Sequence, residues 1–563
     1  MPEISTYYNP SLTLPAILKR AVSSPVTKYI GYYNESGEGV MQSYPQLWSE
    51  ASLVAIGLYN EGLKQGDKLI IATQSNSETL TLLWACFLSG IIPTVLQPPP
   101  TFTGYSPSLN KLIKVYERFG NPPVFMSSIP ELNELPNIKI SCISQLNCKG
   151  TLPDIEIDPN DIAFIQFSSG STGDPKGIML SHHNIIVNLD AIRIGLNINY
   201  PDVFGNWMPL FHDMGLIGYH LTPIYTGTNQ WHIETIDFIK NPGLWLNMLS
   251  EQKVKITGCP NFGLALVLRF INRMKSKPQW DFSKLEGILN GAEPISVQIM
   301  NSFVEELKPF NLKPEAMMPV YGLAEASLAA TFTPLMQPTV ITAFDAISLD
   351  RDGIGIEVDS NHPHARLISS VGVPIHDIEI SIIDHDGKPV PEGTSGLICL
   401  KGLSITSGYY NKPIETQKAF NDGWLSTGDI GLLYKGNYYI SGRDKDIIFK
   451  NGRHYFANDL EELACTLEGI SYGKICFAGI TDPQNGHERI IAFQAGSPGE
   501  KAHALFMELR NLLRNALGIT LDELIMVRSN EIPKTSSGKL QRYKLVQRYM
   551  AGEFDTIKIL MNV

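Results

Sequence analysis

A loop rich in serine and glycine, lying between two apolar runs, is the sequence feature that most constrains the fold. The runs are Ile162–Phe167 and Ile178–Leu180, and the residues between Phe167 and Ile178 read SSGSTGDPKG. This pattern predicts a strand, a loop and a second strand. Glycines let a backbone approach a ligand closely, and consecutive N–H groups can form an anion-binding nest. The predicted phosphate-binding residues are Ser168, Ser169, Gly170, Ser171, Thr172, Gly173 and Lys176.

The loop does not match the phosphate-binding patterns of the best-known nucleotide-binding folds. It lacks the spacing of a Walker A loop and that of a G-x-G-x-x-G loop. Ser171 also lacks the G-x-S-x-G context of a hydrolase nucleophile. Taken alone, the stretch is consistent both with a phosphate cradle and with an ordinary surface loop, so the rest of the chain must decide between them.

Length and composition indicate a globular protein of several domains. The 563 residues, 43% of them hydrophobic, exceed what one small core needs, so we expect two to four domains. The formal net charge is -11, and the chain has no Lys/Arg-rich run. A nucleic-acid partner is therefore not expected.

The cysteines and the apolar stretches predict a cytoplasmic protein without a membrane span. Seven cysteines occur and none forms a C-x-x-C pair, which is typical of free thiols in a reducing compartment. The first residues lack the basic and apolar regions of a signal peptide. The most membrane-like stretch, Leu80–Leu96, is broken by Gly90 and Pro93. It predicts a core helix that ends at Gly90 and a strand after it.

Short apolar runs alternate with helical periodicity as far as about residue 340. Such alternation is typical of an α/β fold with parallel sheets and helices on their faces. Three polar turns, at residues 209–215, 290–293 and 321–325, follow predicted strands. Ligands bind beyond the carboxyl ends of the strands in open α/β sheets, so these turns are expected to meet at a binding site.

The pattern changes at about residue 341. Short strands joined by turns such as Asp386-Gly387 and Lys435-Gly436-Asn437 predict a more antiparallel, β-rich subdomain. A small α/β unit follows it. We predict a large N-terminal part, 1–442, with α/β sheets to about 340 and a β-rich region from 341 to 442, and a small C-terminal domain, 443–563.

Five widely separated motifs together resemble those of the adenylate-forming enzymes. This superfamily includes acyl-CoA synthetases, nonribosomal peptide adenylation domains and luciferases, and the resemblance covers essentially the whole chain. One motif would be a weak signal, whereas five in the typical order are specific. The motifs are Ser168–Gly177, Tyr321–Glu325, Ser426–Asp429, Gly442–Asp446 and Pro533–Lys539.

Two segments look most like the fatty acyl-AMP ligases within this superfamily, namely Phe211–Ile217 and Lys534–Arg542. The resemblance implies a large N-terminal part, a small mobile C-terminal lid domain, and ATP and Mg²⁺ as cofactors. It implies that a medium- or long-chain fatty acid becomes fatty acyl-AMP, with release of pyrophosphate. The acyl group then passes to the thiol of an acyl carrier protein or of a polyketide or nonribosomal peptide synthase. An insertion that disfavours CoA is expected at about Phe344–Ser370.

The resemblance also assigns roles in nucleotide binding and chemistry. Two anions must meet in this reaction, so the site needs fixed positive charge more than it needs a general base. Lys539 is the expected catalytic lysine, Asp429 and Arg443 are expected at the ribose or phosphate, and Glu325 is expected at Mg²⁺. Tyr321, with Gly322 and Leu323, is expected at adenine. The slot beside it would be lined by Asn290, Gly291, Ala292 and Glu293.

The remaining expectations concern the fatty acid and the hinge. His212 resembles a wall of the acyl-adenylate site, although His212-Asp213 alone would also suit a dyad or a metal ligand pair. Ala324 replaces the threonine that many relatives carry. Lys445 falls at the family's inter-domain hinge. The predicted walls of an apolar acyl cleft are Phe211, Met214, Gly215, Phe262 and Leu266.

Three other functions stay open from the sequence. One is a fatty acyl-CoA synthetase of the same fold. Another is a nucleotide-binding or scaffold protein without activity, which the presence of Lys539, Asp429 and Glu325 disfavours. The third is a stand-alone amino-acid adenylation domain, in which Asp213 would hold the substrate's amino group.

Overall fold

The computed structural model describes residues 8–34, 36–37, 39–100, 106–129, 138–167, 175–450, 453–481, 488–497, 499–535, 539–554 and 558–559. All seven cysteines lie in these ranges and are free thiols, as the sequence predicts. Within the described residues, no helix has both the length and the apolar composition needed to cross a bilayer.

The chain up to residue 181 alternates helices and strands. Its elements are α1 (Leu14–Val22), β1 (Tyr29–Tyr33), β2 (Gly39–Ser43), α2 (Tyr44–Asn60), β3 (Lys68–Ile71), α3 (Asn76–Ser89), β4 (Ile92–Val95), α4 (Pro107–Arg118), β5 (Val124–Phe125), β6 (Ile140–Ser141), β7 (Ile162–Phe167) and β8 (Gly177–Ser181).

The next part, to residue 374, continues the alternation and includes a π-helical segment at Met214–Leu221. Its other elements are α5 (His182–Gly195), β9 (Val203–Asn206), α6 (Thr222–Thr226), β10 (Asn229–Ile233), α7 (Thr235–Lys240), α8 (Gly243–Glu251), β11 (Ile256–Gly258), α9 (Asn261–Arg273), β12 (Gly287–Asn290), α10 (Val297–Leu307), β13 (Met317–Gly322), β14 (Ala329–Phe332), β15 (Ile341–Asp345), α11 (Ala346–Asp352), β16 (Ala365–Ser369) and β17 (Val373–Pro374).

The last third contains a β-rich region and a C-terminal unit. The β-rich region consists of β18 (Glu379–Ile383), β19 (Gly396–Lys401), α12 (Pro413–Ala419), β20 (Phe420–Asn421), β21 (Trp424–Tyr434) and β22 (Asn437–Arg443). The C-terminal unit consists of β23 (Ile447–Lys450), β24 (Arg453–Phe456), α13 (Ala457–Ala464), β25 (Ile475–Thr481), β26 (Glu488–Ala495), α14 (Glu500–Leu517), β27 (Glu523–Val527), α15 (Arg542–Met550) and β28 (Lys558–Ile559).

Two sheets with parallel strands form the framework of the first 374 residues. In the described residues, nine strands pair in the order β17-β14-β13-β12-β11-β9-β10-β1-β2, and four pair in the order β4-β3-β5-β6. The strands from β13 to β1 in the large sheet run parallel, whereas β2, β14 and β17 are antiparallel at its edges. The parallel α/β prediction is confirmed. Its physical basis is burial on both faces, which requires near-continuous apolar runs.

The serine- and glycine-rich stretch joins two paired strands, as predicted. β7 and β8 are antiparallel, and Phe167 pairs with Gly177. Gly177 also accepts a hydrogen bond from the Tyr410 backbone N–H at 2.7 Å. The β-rich region therefore packs against the strand that leaves the loop.

The β-rich region and the C-terminal unit have their own sheets. Strands β18 to β22 pair antiparallel, and β21 and β22 form the hairpin that the Lys435–Asn437 turn predicts. In the C-terminal unit, β25 to β28 form a separate four-stranded sheet. Two hydrophobic clusters consist only of residues from this unit. These separate cores agree with a small C-terminal domain, although the predicted boundary at residue 443 stays a prediction.

Two local features show where sequence reasoning succeeded and failed. Helix α3 ends as expected, because Gly90 takes the left-handed conformation at φ 64°. The π-helical segment, which the sequence reasoning treated as part of a turn, is instead helical from Met214. All eight of its residues are buried. A helix that is buried all round has no polar face, so its sequence shows no helical periodicity.

Candidate active site

A cavity of about 1640 Å³ lies among the ends of the large-sheet strands, the β-rich region and the C-terminal unit. Most of the predicted site residues line it, although they come from distant parts of the chain. Those that line it are Lys176, Phe211, His212, Met214, Phe262, Ala292, Glu293, Tyr321, Gly322, Leu323, Glu325, Asp429, Arg443, Lys445 and Lys539.

One end of the cavity carries a hydrogen-bonded trio centred on Asp429. The Tyr321 hydroxyl donates to Asp429 Oδ2 at 2.8 Å, and Arg443 Nε donates to Oδ1 at 2.9 Å. Asp429 and Arg443 face each other across the β21–β22 pair, so the hairpin register fixes this contact. Burial and the neighbouring Asp429 raise the pKa of Tyr321 far above its ordinary value. The tyrosine is therefore a neutral donor that orients the carboxylate.

Lys539 reaches the same cavity from the C-terminal unit. Two hydrogen bonds to Thr535 hold its backbone, because Thr535 N–H donates to the Lys539 carbonyl at 2.7 Å and Lys539 N–H donates to Thr535 Oγ1 at 3.0 Å. Burial and the positive charge of Arg443 lower the pKa of Lys539 overall, and the carboxylates of Asp213, Asp429 and Glu293 offset this lowering only in part. The lysine ammonium thus lies in the field of three acidic residues from the N-terminal part.

His212 and Asp213 form a pair where the chain leaves β9. His212 Nδ1 lies 2.6 Å from Asp213 Oδ1, and the same oxygen accepts the Met214 backbone N–H at 2.7 Å. Burial raises the pKa of Asp213, but the adjacent His212 and the Lys539 ammonium outweigh burial and lower it overall. Asp213 is therefore an ionised carboxylate that fixes the His212 ring. This geometry favours the prediction that His212 forms a wall of the site over the alternative that it binds a metal ion.

Glu325 and Lys176 meet at Tyr409. The Tyr409 hydroxyl donates to Glu325 Oε1 at 3.0 Å, and the Lys176 ammonium lies 4.6 Å from the centre of the Tyr409 ring. Burial raises the pKa of Glu325, partly offset by the Tyr409 bond and by the charges of Arg443 and Lys176. Tyr409 was not among the predicted site residues, since a tyrosine in a Gly-Tyr-Tyr sequence carries no distinctive signal.

Glu293 joins the N-terminal part to the C-terminal unit. Its Oε1 accepts the Phe262 backbone N–H at 2.9 Å, and its Oε2 accepts the Tyr472 hydroxyl at 3.1 Å. Burial raises the pKa of Glu293, and Lys539 and Lys534 act in the opposite direction. The sequence placed Glu293 in an adenine slot, whereas its described hydrogen bonds connect α9 to the segment before β25.

Four predicted residues do not line this cavity. The Asn290 side chain is fully buried and donates to the Cys259 carbonyl at 2.8 Å, so it ties β12 to the end of β11. A side chain at Gly291 would press on Val320, and one at Gly215 would lie 2.2 Å from the Pro209 carbonyl. These two glycines serve close backbone packing. Leu266 lines a smaller neighbouring pocket instead.

The predicted loop residues Ser168, Ser169, Gly170, Ser171, Thr172 and Gly173 lie outside the described residues. Both ends of the loop are described. Lys111 Nζ donates to the Phe167 carbonyl at 2.9 Å, and Arg118 donates to the Pro175 carbonyl. Both side chains come from α4, so this helix holds the two ends of the loop.

An apolar crevice forms another part of the cavity wall. Its residues lie on or next to α5, the π-helical segment and β12 to β14, and they pack in one hydrophobic cluster. Of the five predicted acyl walls, only Met214 belongs to this crevice. Its residues are Ile192, Leu196, Met214, Tyr219, Leu289, Val320, Leu328, Ala329 and Phe332.

A smaller pocket of about 310 Å³ adjoins the cavity. The residues that it shares with the main cavity are His212, Phe262, Ala292, Tyr472, Lys534 and Thr535. Its other walls are largely apolar, and Arg269 and Lys534 also line it. Two predicted walls, Phe262 and Leu266, thus belong to a second space beside His212.

Comparisons with known proteins agree with this geometry. The family model described as AMP-binding enzyme matches residues 121–410. A Caulobacter vibrioides protein with the provisional name acyl-CoA synthetase is 30% identical, and the match covers 93% of each chain. The medium-chain-fatty-acid–[acyl-carrier-protein] ligase TtuA of Teredinibacter turnerae is 31% identical over 69% of this chain and 63% of its own length.

Solved structures give the same result for the three-dimensional fold. A structure from a study of fatty acyl-adenylate ligases of E. coli and L. pneumophila superposes with a TM-score of 0.86. It is 27% identical in sequence, and the match covers 96% of this chain and 98% of that one. The similarity therefore extends over the N-terminal sheets, the β-rich region and the C-terminal unit together.

Proposed function

Because this chain belongs to the AMP-binding enzyme family and has the adenylate-forming fold, we propose that it is a fatty acyl-AMP ligase. It joins a medium- or long-chain fatty acid to the AMP portion of ATP and releases pyrophosphate. It then passes the acyl group to the thiol of an acyl carrier protein. The observation that carries this proposal is the position of Lys539 in one cavity with Asp429, Tyr321 and the apolar crevice.

The nucleotide end of the cavity suits a ribose. The Asp429 carboxylate is oriented by Tyr321 and Arg443, and a carboxylate can accept both ribose hydroxyls. Arg443 is about half exposed beside this carboxylate, so its remaining donors can reach a phosphate.

The residues at the other end fit Mg²⁺ carried by ATP. The described residues contain no cluster of three or more His, Cys, Asp or Glu that would hold a metal ion by themselves. Mg²⁺ in nucleotide enzymes commonly uses one or two carboxylates together with phosphate oxygens and water. The Glu325 carboxylate, oriented by Tyr409 and facing Lys176, is such a ligand. When bound, the ion would neutralise charge on the phosphates.

Lys539 would act at the reacting atoms. The fatty carboxylate attacks the α-phosphorus, a new C–O–P bond forms, and the bond to pyrophosphate breaks. Both reactants are anions, so an ammonium between them stabilises the charge that develops in the transition state. The described carboxylates around Lys539 counteract the effect of burial on its pKa. His212, held by Asp213, would line the position of the fatty carboxylate.

The apolar crevice supports a fatty acid as the substrate. It starts beside Met214, two residues after His212, and it is walled by aliphatic and aromatic side chains in one cluster. An amino-acid substrate would need its ammonium group paired. Asp213 faces His212 and the Met214 N–H instead, which disfavours that alternative.

The smaller pocket supports a thiol on a long arm as the acceptor. It meets the main cavity at His212 and Phe262, beside the expected position of the acyl carbonyl. Arg269 and Lys534 line it, and such cations suit the phosphate of a phosphopantetheine arm. The relative TtuA is itself named as an acyl-carrier-protein ligase.

Transfer to the thiol would require a movement of the C-terminal unit, because Lys539 occupies the cavity in this arrangement. We place the hinge at Lys445, in the short turn Asp444–Asp446 between β22 and β23. Hinges are a few residues at the ends of elements that absorb a change in backbone angles. A proline at position 445 is expected to trap one arrangement and to preserve at most one half-reaction.

The test supplies ATP, Mg²⁺ and laurate, and measures pyrophosphate. The expected result is pyrophosphate release that depends on laurate, followed by laurate transfer to a phosphopantetheinylated carrier protein but not to its apo form. No pyrophosphate with any fatty acid from C8 to C18 would reject the proposal. The similarity to a protein named acyl-CoA synthetase makes CoA the competing acceptor. Faster acyl transfer to CoA than to the carrier would favour that function.

A further inference from the structure

We propose that Lys111 is a pyrophosphate-binding residue, a second cation at the phosphate end of the cavity. The inference rests on the proposed use of ATP. Lys111 lies on α4 and lines the same cavity as Lys176 and Glu325. None of the motifs that identify the superfamily includes it.

The position of the Lys111 ammonium is fixed by its helix. Leu112, Val115 and Phe119 pack in one hydrophobic cluster with Phe167. The rings of Phe119 and Phe167 lie 5.3 Å apart, edge to face. This packing holds α4 against β7, so Lys111 Nζ donates to the Phe167 carbonyl at 2.9 Å. The ammonium therefore lies beside the last residue of the strand.

The hydrogen bond to the Phe167 carbonyl does not explain why a charged residue occupies position 111. An ammonium group has three donors, and one of them goes to the carbonyl. A neutral side chain could satisfy that carbonyl without the cost of burying a charge. No ion pair between described residues includes Lys111, and burial alone lowers its pKa to about 8. By contrast, Lys539 and Lys176 each face a carboxylate.

An anion that enters with the substrate would balance the positive charge of Lys111. Two described carboxylates that line the cavity already have partners, since Glu325 accepts the Tyr409 hydroxyl and Glu415 lies 3.3 Å from Lys412. Lys111 and Lys176 both line the cavity, and they lie near each other because Phe167, which accepts from Lys111, pairs with Gly177, the residue after Lys176. A pyrophosphate group carries enough charge and acceptor oxygens for both. An unpaired, partly buried cation in a cleft is a common feature of functional sites.

The experiment compares Lys111→Met with Lys114→Met and Lys111→Arg. Methionine keeps the length and the apolar stem of lysine without its charge. Lys114 is exposed on the same helix and does not line the cavity. Titration calorimetry measures the binding of magnesium pyrophosphate and, separately, of AMP, which lacks the two leaving phosphates. Thermal unfolding of each variant checks that it is folded.

Lys111→Met is expected to weaken pyrophosphate binding at least tenfold and to change AMP binding less than twofold, since a charged hydrogen bond is lost only at the leaving phosphates. Lys111→Arg is expected to keep pyrophosphate binding within about threefold of wild type, and Lys114→Met within twofold. Pyrophosphate affinity within twofold of wild type in Lys111→Met would overturn the proposal. A parallel loss of pyrophosphate and AMP binding would also overturn it, because Lys111 would then be holding the architecture of the site.

The result separates this proposal from the proposed function. If wild type bound no pyrophosphate, the assignment of Lys111 would be wrong. If the wild-type protein bound pyrophosphate through Lys111 but released no pyrophosphate with any fatty acid, the assignment of Lys111 would be confirmed. The proposal that the substrate is a fatty acid would then be rejected.

Discussion

The guanidinium group of Arg366 lies 3.3 Å from the carboxylate of Asp459 and joins β16 to the C-terminal unit. Arg366 also donates to both carboxylate oxygens of Asp350, at 2.7 and 2.6 Å. A second contact links the C-terminal unit to the segment before α10, because Ser296 Oγ donates to Glu462 Oε1 at 2.7 Å. Arg366 and Asp350 belong to the β15–α11–β16 segment, which coincides with the predicted insertion. This segment therefore contacts the unit that carries Lys539.

Arg366→Ala is expected to loosen the C-terminal unit. The change removes a guanidinium that pairs two partly buried carboxylates, and leaving buried charges unpaired is costly. We expect the rate of acyl-AMP formation to fall at least threefold, because Lys539 is delivered less often, and the rate of acyl transfer to CoA to rise. Limited proteolysis should show faster cleavage near residues 443–446.

Arg351→Ala is the matched control for this prediction. Arg351 lies next to Asp350 on α11, is more than half exposed, and pairs only with its neighbour Asp352 among the described ion pairs. Its removal is expected to change neither cleavage nor acceptor choice. Unchanged proteolysis and unchanged CoA use in Arg366→Ala would show that the ion pair does not restrain the C-terminal unit.

Lys539→Ala is expected to lose acyl-AMP formation while keeping ATP binding. Preorganised charge at a transition state contributes about 10²–10³-fold in rate, and Asp429, Tyr321 and Arg443 remain to hold the nucleotide. The rate is measured as laurate-dependent pyrophosphate release, and ATP affinity is measured by calorimetry. Lys501→Ala, at an exposed position on α14, serves as the control. A rate within threefold of wild type would remove Lys539 from this role.

Sequence reasoning predicted much of the site because its residues lie in motifs at strand ends. Asp429 and Arg443 are an example, since they lie on the two strands that the predicted Lys435–Asn437 turn joins and pair with each other. Which side chain faces the cavity was harder to predict. Ala292 and Glu293 line it and Asn290 does not, because the strand pairing turns Asn290 into the protein interior.

Contacts between separately folded parts could not be predicted from the sequence. The Arg366–Asp459 pair depends on how the C-terminal unit docks, and neither residue stands in a motif. The acyl crevice is similar, because Ile192, Leu328 and Phe332 are ordinary apolar residues until α5 and β14 pack together. The proposed role of Lys111 could not be predicted from the sequence either, since it depends on the burial of one face of α4.

Lys176→Met is expected to raise the KM for ATP more than it lowers kcat. The Lys176 ammonium lies over the Tyr409 ring and faces Glu325, and we propose that it holds the leaving phosphates and not the reacting α-phosphorus. We expect the KM for ATP to rise at least tenfold, since a charged hydrogen bond is worth about 1.5–3 kcal/mol. Steady-state kinetics with saturating laurate measures both constants. Complete loss of turnover at saturating ATP would contradict this division of roles between Lys176 and Lys539.

Tyr321→Phe and Asp429→Asn are expected to weaken ATP binding to different degrees. Tyr321→Phe removes one hydrogen bond to a carboxylate that Arg443 still orients, so the KM for ATP is expected to rise about fivefold. Asp429→Asn removes the charged acceptor itself and is expected to raise the KM for ATP at least tenfold. Calorimetry with adenosine measures the same ranking without the phosphates. A larger effect from Tyr321→Phe than from Asp429→Asn would contradict this ranking, because it would show that the tyrosine hydroxyl, and not the Asp429 carboxylate, makes the main contact.

Three buried histidines are expected to make the protein sensitive to acid. Burial lowers the pKa of His182 and His220 to about 4 and that of His232 to about 3. Trp84 Nε1 donates to His220 Nε2 at 2.7 Å, and Gln230 Oε1 accepts from His220 Nδ1 at 2.9 Å and from His232 Nε2 at 2.7 Å. A proton added at His220 Nε2 would face the Trp84 N–H, so this histidine is neutral in the folded protein.

The sign of the pH dependence follows from proton binding. Between pH 6.5 and about 4 the unfolded chain binds more protons at these histidines than the folded chain, so stability is lost as the pH falls through this window. The loss approaches about 3 kcal/mol per histidine at the low end. Thermal unfolding followed from pH 8 to 4 is expected to show a Tm that is flat above 6.5 and falls below it. His220→Gln should flatten the fall, whereas exposed His385→Gln should not. Equal slopes in both variants would show that other groups cause the acid sensitivity.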